Sequence, residues 1–186
     1  KSTAHVSAIG IDIGKNTFHL IGQDRRGKII MRARLSRSQL MERLVNIPSC
    51  LIGMEAGAGA HHIARRLLDL GHDVRLIPAQ YVKPFLKGHK NDYRDAEAIM
   101  EAVQRPTMSF VAVKTAEQCD LQALHRVRSR LVRLRTGVIN QIRGLLLERG
   151  VVIAQGTAPL RKALPMILAD PPGHISSRIL RLIGSL

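Results

Sequence analysis

The order of apolar segments constrains this chain most. Three consecutive stretches, Val6–Ile13, Thr17–Gln23 and Lys28–Leu35, are apolar or alternating and separated by short connectors. They read as three neighbouring strands in an antiparallel meander, with Gly27 after Asp24-Arg25-Arg26 supplying a turn. Ser36–Ile47 then has helical spacing, with Ser36 or Ser38 as cap, Leu40, Leu44 and Ile47 on one face and Pro48 as stop. Cys50–Met54 is a short apolar strand ending at Glu55. A helix follows, opened by Gly57-Ala-Gly-Ala60 and closed by Gly71, and Val74–Ile77 is the next strand. The pattern β-β-β-α-β-α-β predicts an α/β unit with a mixed sheet.

Beyond it, Gln80–Leu86 reads as a short helix disturbed by Pro84, and Gly88–Asn91 as loop. Tyr93–Arg105 is a helix with Ala96, Ile99, Met100 and Val103 on one side, and Ser109–Val113 a last short strand or a linker. A boundary near 107–115 divides a first domain, 1–110, from an arm, 115–186. Ala116–Arg149 reads as one long helix. Its Leu124, Val127, Leu131, Leu134 and Val138 step by 3, 4, 3, 4, the spacing of a coiled-coil seam, so a homo-oligomer through this arm is expected. Two short helices around Asp170-Pro-Pro-Gly173 complete the chain.

Net charge is +15, which calls for a polyanionic partner. Residues 1–110 carry +7 and the shorter stretch 111–186 carries +8, with ten of its twelve cations arginine. Arginine grips phosphate with two parallel hydrogen bonds, which lysine cannot. Arg126, Arg128, Arg130, Arg133, Arg135 and Arg143 are the candidate nucleic-acid contacts of the arm. Aromatic residues are few, so backbone and shape recognition is expected rather than base stacking. Cys50 and Cys119 lie far apart without a CxxC motif, and the adjacent His61 and His62 point about 100° apart on a helix; neither pair is expected to hold metal. No apolar run reaches the roughly 18 residues of a membrane span, and no signal-peptide layout is present, so a cytoplasmic protein with no membrane partner is expected.

Four acids stand out. Asp12 lies inside the apolar first strand, where a carboxylate is costly unless paired, hydrogen-bonded or metal-bound. Glu55 ends another apolar strand. Asp92 and Asp95 are three apart at the start of a helix and face the same way. Taken singly, the pair Asp92/Asp95 also suits the positive end of a helix, and Glu55 a strand edge. Taken together, two strands and a helix offer oxygen ligands for a pair of Mg²⁺ ions, the arrangement that phosphodiester cleavage uses.

Gly10-Ile-Asp-Ile-Gly-Lys-Asn-Thr-Phe-His19, Gly53-Met-Glu-Ala56 and Lys90-Asn-Asp-Tyr-Arg-Asp-Ala-Glu-Ala-Ile99 resemble DEDD transposases of the insertion-sequence-110 type and its 1111 branch. The likeness continues through Gln141-Ile-Arg-Gly-Leu145 and Leu160-Arg-Lys-Ala-Leu164. It implies a RuvC-like ribonuclease-H fold with Asp12, Glu55, Asp92 and Asp95 as a catalytic tetrad holding Mg²⁺, or Mn²⁺ in its place. Lys15 belongs to the same first motif and is a candidate phosphate contact. The resemblance also implies DNA recombination by an oligomer guided by a structured RNA, with the basic arm helping to bind that RNA. Members of the family carry a serine nucleophile in a C-terminal domain; no counterpart is found up to Leu186, so no serine here takes that role.

Three other readings compete. Gly10-Ile-Asp-Ile-Gly14 also resembles the first phosphate loop of actin-like ATPases, but no second glycine-rich phosphate loop follows. A RuvC-type endonuclease would share the tetrad and cut branched DNA without a guide. A non-catalytic nucleic-acid-binding module would keep the charge and lack metal-dependent cutting.

Overall fold

The computed structural model describes residues 5–86 and 91–186. The loop expected at Gly88–Lys90 and the first residue of the Lys90 motif lie outside them. The chain divides into two compact units, Lys1–Cys119 and Asp120–Leu186.

The first unit is built on a five-stranded mixed sheet of order β3-β2-β1-β4-β5, comprising β1 (Ala8–Ile13), β2 (Thr17–Gln23), β3 (Ile29–Ser36), β4 (Leu51–Glu55) and β5 (Asp73–Ile77). β1, β2 and β3 form the antiparallel meander, whereas β4 runs parallel to β1, and β5 parallel to β4. Parallel neighbours need crossover connections, and the two helical stretches provide them. Those are α1 (Arg37–Val45) and α2 (Ala60–Asp69). Ser36 starts α1 with a reciprocal capping box to Gln39, as the Ser-x-x-Gln spacing specifies.

Strand alternation sorts side chains between the two sheet faces. Ile9, Ile11, Phe18, Leu20, Ile52 and Met54 point to one face and form the main core with Leu40 and Leu44 of α1 and Ile63 and Leu67 of α2. His72, buried beside this core, is within 3.2 Å of the Leu44 carbonyl through Nε2, while Cys50 N–H donates to Nδ1 at 3.4 Å. A carbonyl only accepts, so the proton sits on Nε2.

The opposite face is covered by α4 (Asp92–Val103), which follows a four-residue helix α3 (Ala79–Val82) and a 3₁₀ turn, Lys83–Phe85. α4 packs on β1, β2 and β4 through Ala96, Ile99, Met100 and Val103. Two glycines make this seat. Gly10 and Gly53 are direct partners across β1 and β4. A Cβ on Gly10 would overlap the Ala96 carbonyl oxygen and crowd the Met100 backbone, and one on Gly53 would lie 2.7 Å from Val103 Cβ. The helix therefore lies closer to the sheet than any side chain there would permit. Residues 109–113 form no strand; Val111 makes one isolated bridge to Leu76.

In the second unit, the C-terminal end of α5 (Ala116–Leu147) buries Ile142 and Leu146 with Ile153, Leu160 of α6 (Thr157–Ala169), Ile175, and Ile183 of α7 (Ser177–Gly184). Thirty-two residues make α5 about 48 Å long. Leu124, Val127, Leu131 and Leu134 are more than half exposed. The apolar seam thus splits: its last turns pack within this unit, and its middle turns face outward. No helix among the described residues is long and apolar enough to cross a membrane.

Candidate metal centre

The alternation that builds the core also places the acids. Gly10 and Asp12 share the α4 face of β1, and Gly53 and Glu55 share that face of β4. Asp12 and Glu55 therefore sit at the same ends of two adjacent parallel strands, two residues beyond the glycines that seat α4. The start of α4 brings Asp92 and Asp95 to that edge. Asn91 caps α4 by accepting from the Tyr93 N–H at 3.0 Å, so the capping role falls to Asn91 rather than to the two aspartates.

The acids feel one another. The Asp12 carboxyl is pushed above the ordinary carboxylate range, first by burial, then by the charges of Asp95 and Asp92, and further by Glu55; His19 pulls in the other direction. Asp12 on β1 thus feels acids from two other segments, β4 and α4. Asp12 and Asp95 are half-buried, as is Glu55, while Asp92 is exposed. Hard divalent ions are the natural partners of neighbouring carboxylates. Asp12, His19 and Asp92 offer ligand atoms within 4.8 Å of one another, a group able to hold a metal ion.

His19 belongs to the same edge, and sequence reasoning misses it. It lies on β2 directly opposite Asp12. Its Nδ1 is 3.8 Å from Asp12 Oδ2 and 3.6 Å from Asp92 Oδ2. A signal does exist: a short connector after Ile13 sets Ile13 against Phe18, and so Asp12 against His19.

Beside the acids opens a cleft of about 450 Å³, lined by Asp12, Glu55, Lys15 and Arg37 and floored by Gly57–Gly59. Arg37 also lines a second cleft, of about 770 Å³, with Asn16, Ser36, His62 and Arg66. Arg37 donates to the Lys15 carbonyl at 3.3 Å, which holds its guanidinium between the two. A negatively charged strand leaving the acids would meet these cations. His61 is committed elsewhere: the Lys114 N–H donates to its Nδ1 at 3.2 Å.

On the arm, Arg126, Arg128, Arg130, Arg133 and Arg135 are all exposed. Arg143 differs. It is half-buried and donates from Nε and Nη2 to the Ile153 carbonyl, at 3.3 and 3.1 Å, so part of its guanidinium secures its own unit.

The profile of the insertion-sequence-110 DEDD group, described as a transposase, matches residues 9–149. The chain belongs to that transposase family. Three relatives show the same kinship. A probable family 20 transposase of Pseudomonas aeruginosa is 44% identical over 98% of this chain and 54% of its own length. The transposase for insertion sequence element IS1328 of Yersinia enterocolitica is 48% identical over 85% of this chain and 47% of its own. The transposase for IS1111A of Coxiella burnetii is 41% identical over the whole chain and 51% of its own. The chain thus spans about half the length of these relatives. A RuvC from T. thermophilus, solved with a Holliday junction substrate, covers 57% of the chain at 12% identity with a TM-score of 0.42, a likeness too distant to bear on the chemistry.

Proposed function

We propose that the first domain, residues 1–110, is a ribonuclease-H-like nuclease module acting on DNA phosphodiesters during transposition, with residues 115–186 as its basic arm. Asp12, Glu55, Asp92 and Asp95 would hold the divalent ions, in the order D, E, D, D that names the family. The observation that carries this reading is geometric: Asp12 of β1 and Asp92 of α4 offer ligand atoms, together with His19, within 4.8 Å of one another, and Glu55 ends the strand paired in parallel with β1. Such ions would supply positive charge to a scissile phosphate. The side chains do the rest. Asp12 would hold the metal from β1, with Glu55 from β4 and Asp92 and Asp95 from α4. Lys15 and Arg37 orient the phosphate backbone in the cleft they line.

The five exposed arginines of α5 are proposed to contact nucleic acid, including a structured guide RNA, through phosphate. The outward turns of the seam, Leu124 to Leu134, are proposed to pair with a second copy of the chain, since an exposed apolar stripe at heptad spacing fits the same stripe on a partner helix.

Calorimetric titration tests the metal assignment. Mn²⁺ or Mg²⁺ should bind the wild-type chain and should not bind Asp12→Asn at the same site. Equal affinity in both proteins would overturn it.

A further inference from the structure

We propose that His19 is a ligand in this centre, supplying imidazole nitrogen to the ion held between Asp12 and Asp92. The inference rests on the metal assignment above and extends it beyond the four acids.

His19 is 8% exposed, and its Nδ1 is buried with no hydrogen-bond partner among the described residues. A buried polar nitrogen left without a partner is uncommon and costs free energy. The two oxygens nearest to it, at 3.6 and 3.8 Å, are too far for hydrogen bonds. They are well placed for sharing an ion instead. Ligands at about 2.1 Å from one octahedral ion stand roughly 3.0 Å apart when adjacent and about 4.2 Å when opposite. One nitrogen and one oxygen from each of Asp12 and Asp92 all lie within 4.8 Å of one another.

The ring is also held in place. Tyr93, next to Asp92 on α4, meets it edge-on, with centroids 5.0 Å apart at 75°. Arg32 lies over the Tyr93 ring at 5.3 Å. This stack fixes the plane of the imidazole with Nδ1 directed at the acids. A ligand that is oriented before the ion arrives loses little entropy on binding. A nitrogen donor beside carboxylates favours transition ions over Mg²⁺, which prefers oxygen. The ion between Asp12 and Asp92 is therefore the more Mn²⁺-selective one of the centre.

The test is pulsed electron paramagnetic resonance of the full chain loaded with Mn²⁺, alongside calorimetry of Mn²⁺ and Mg²⁺ binding. The expected spectrum contains ¹⁴N modulation from a directly bound imidazole, lost in His19→Gln and in Asp12→Asn. His19→Gln should lower Mn²⁺ affinity about tenfold and Mg²⁺ affinity less. Mn²⁺ bound in an Asp12-dependent way without ¹⁴N modulation would overturn the His19 assignment and leave the four acids standing. Modulation that survives Asp12→Asn comes from a surface histidine and also counts against it. No Mn²⁺ binding at all would remove both assignments. Should His19→Gln fail to fold, the wild-type and Asp12→Asn spectra still decide.

Discussion

Replacing Gly10 by alanine should damage both the fold and the metal centre, through a single methyl group. At Gly10 the ideal Cβ position lies 2.5 Å from the Met100 backbone nitrogen and closer still to the Ala96 carbonyl oxygen. Ordinary contact between such atoms is about 3.5 Å, so α4 must retreat by at least about 1 Å. Backbone in mid-helix cannot rotate aside as a side-chain tip can. Overpacking of this kind costs about 1–3 kcal/mol. For a unit of 119 residues that lowers the melting temperature by roughly 4–12 °C. Asp95 is one residue from Ala96, so the same displacement carries both α4 aspartates away from Asp12. Metal sites tolerate only about 0.2 Å of error in ligand distance, and Mn²⁺ affinity should fall by at least about tenfold. Tyrosine fluorescence is the right probe of melting, because the chain has no tryptophan and its two tyrosines, Tyr81 and Tyr93, both lie in the first unit. Gly137→Ala is the control: nothing lies within 4 Å of a Cβ there, and the change should stabilise α5 by about 0.5–1 kcal/mol. A Gly10→Ala protein that melts within about 2 °C of its parent and titrates Mn²⁺ normally would refute the idea that close helix–sheet contact sets the site.

Further outcomes are expected. In metal-free protein the raised Asp12 pKa means that its ionised form is penalised in the fold, so stability is lost as pH rises through that value from the acid side. Asp12→Asn should flatten this limb in denaturant titrations between about pH 3 and 8, and Mg²⁺ should restore the wild type but not the variant. Replacing Arg126, Arg128, Arg130, Arg133 and Arg135 by glutamine should reduce the salt slope of duplex binding by up to about 4.5, while an unchanged slope would move the contact surface elsewhere. The buried Cys50 thiol is pushed up to about 11 by desolvation, so at about pH 8 iodoacetamide should label half-buried Cys119 first; equal labelling would show that the segment leading into β4 opens readily.

Much of the first unit is legible in the sequence because its periodicities are clean. β2 runs from Thr17 to Gln23 as expected, and Ser36, one of the two candidate caps, starts α1, because a short apolar strand and a helix cap are local signals. Gly88–Lys90 lies outside the described residues. The segment 109–113 carries an ambiguous signal and makes only a bridge, Val111 to Leu76. Spacing carries the seam past Val138 to Ile142 and Leu145 with only a slight slip; there the helix instead packs within its own unit, burying Ile142 and Leu146 with Ile153, Leu160, Ile175 and Ile183, a tertiary use that spacing along one helix cannot reveal. The four acids stand out in the sequence because each breaks the apolar logic of its own element or repeats at helical spacing, and the fold brings Asp12 and Asp92 together. His19 does not, because a histidine at an inward position of a strand looks like an ordinary core residue until its cross-strand partner is known.

That contrast exposes how the chain encodes its centre. In β1 the run Gly10-Ile11-Asp12 and in β4 the run Gly53-Met54-Glu55 place a glycine and an acid on one face and a large apolar residue on the other. Parallel pairing sets Gly10 against Gly53, which aligns the acids two residues on. The glycine pair admits α4 at close range, and the Asp-x-x-Asp spacing at its first turn then delivers two more carboxylates to the same edge. The apolar residues between glycine and acid anchor the strands from behind. A short sequence motif of glycine, apolar residue and acid, used twice, thus specifies helix depth, strand register and the placing of the acids together. On the proposed metal assignment, disturbing the glycine should therefore impair metal binding nearly as much as removing an acid.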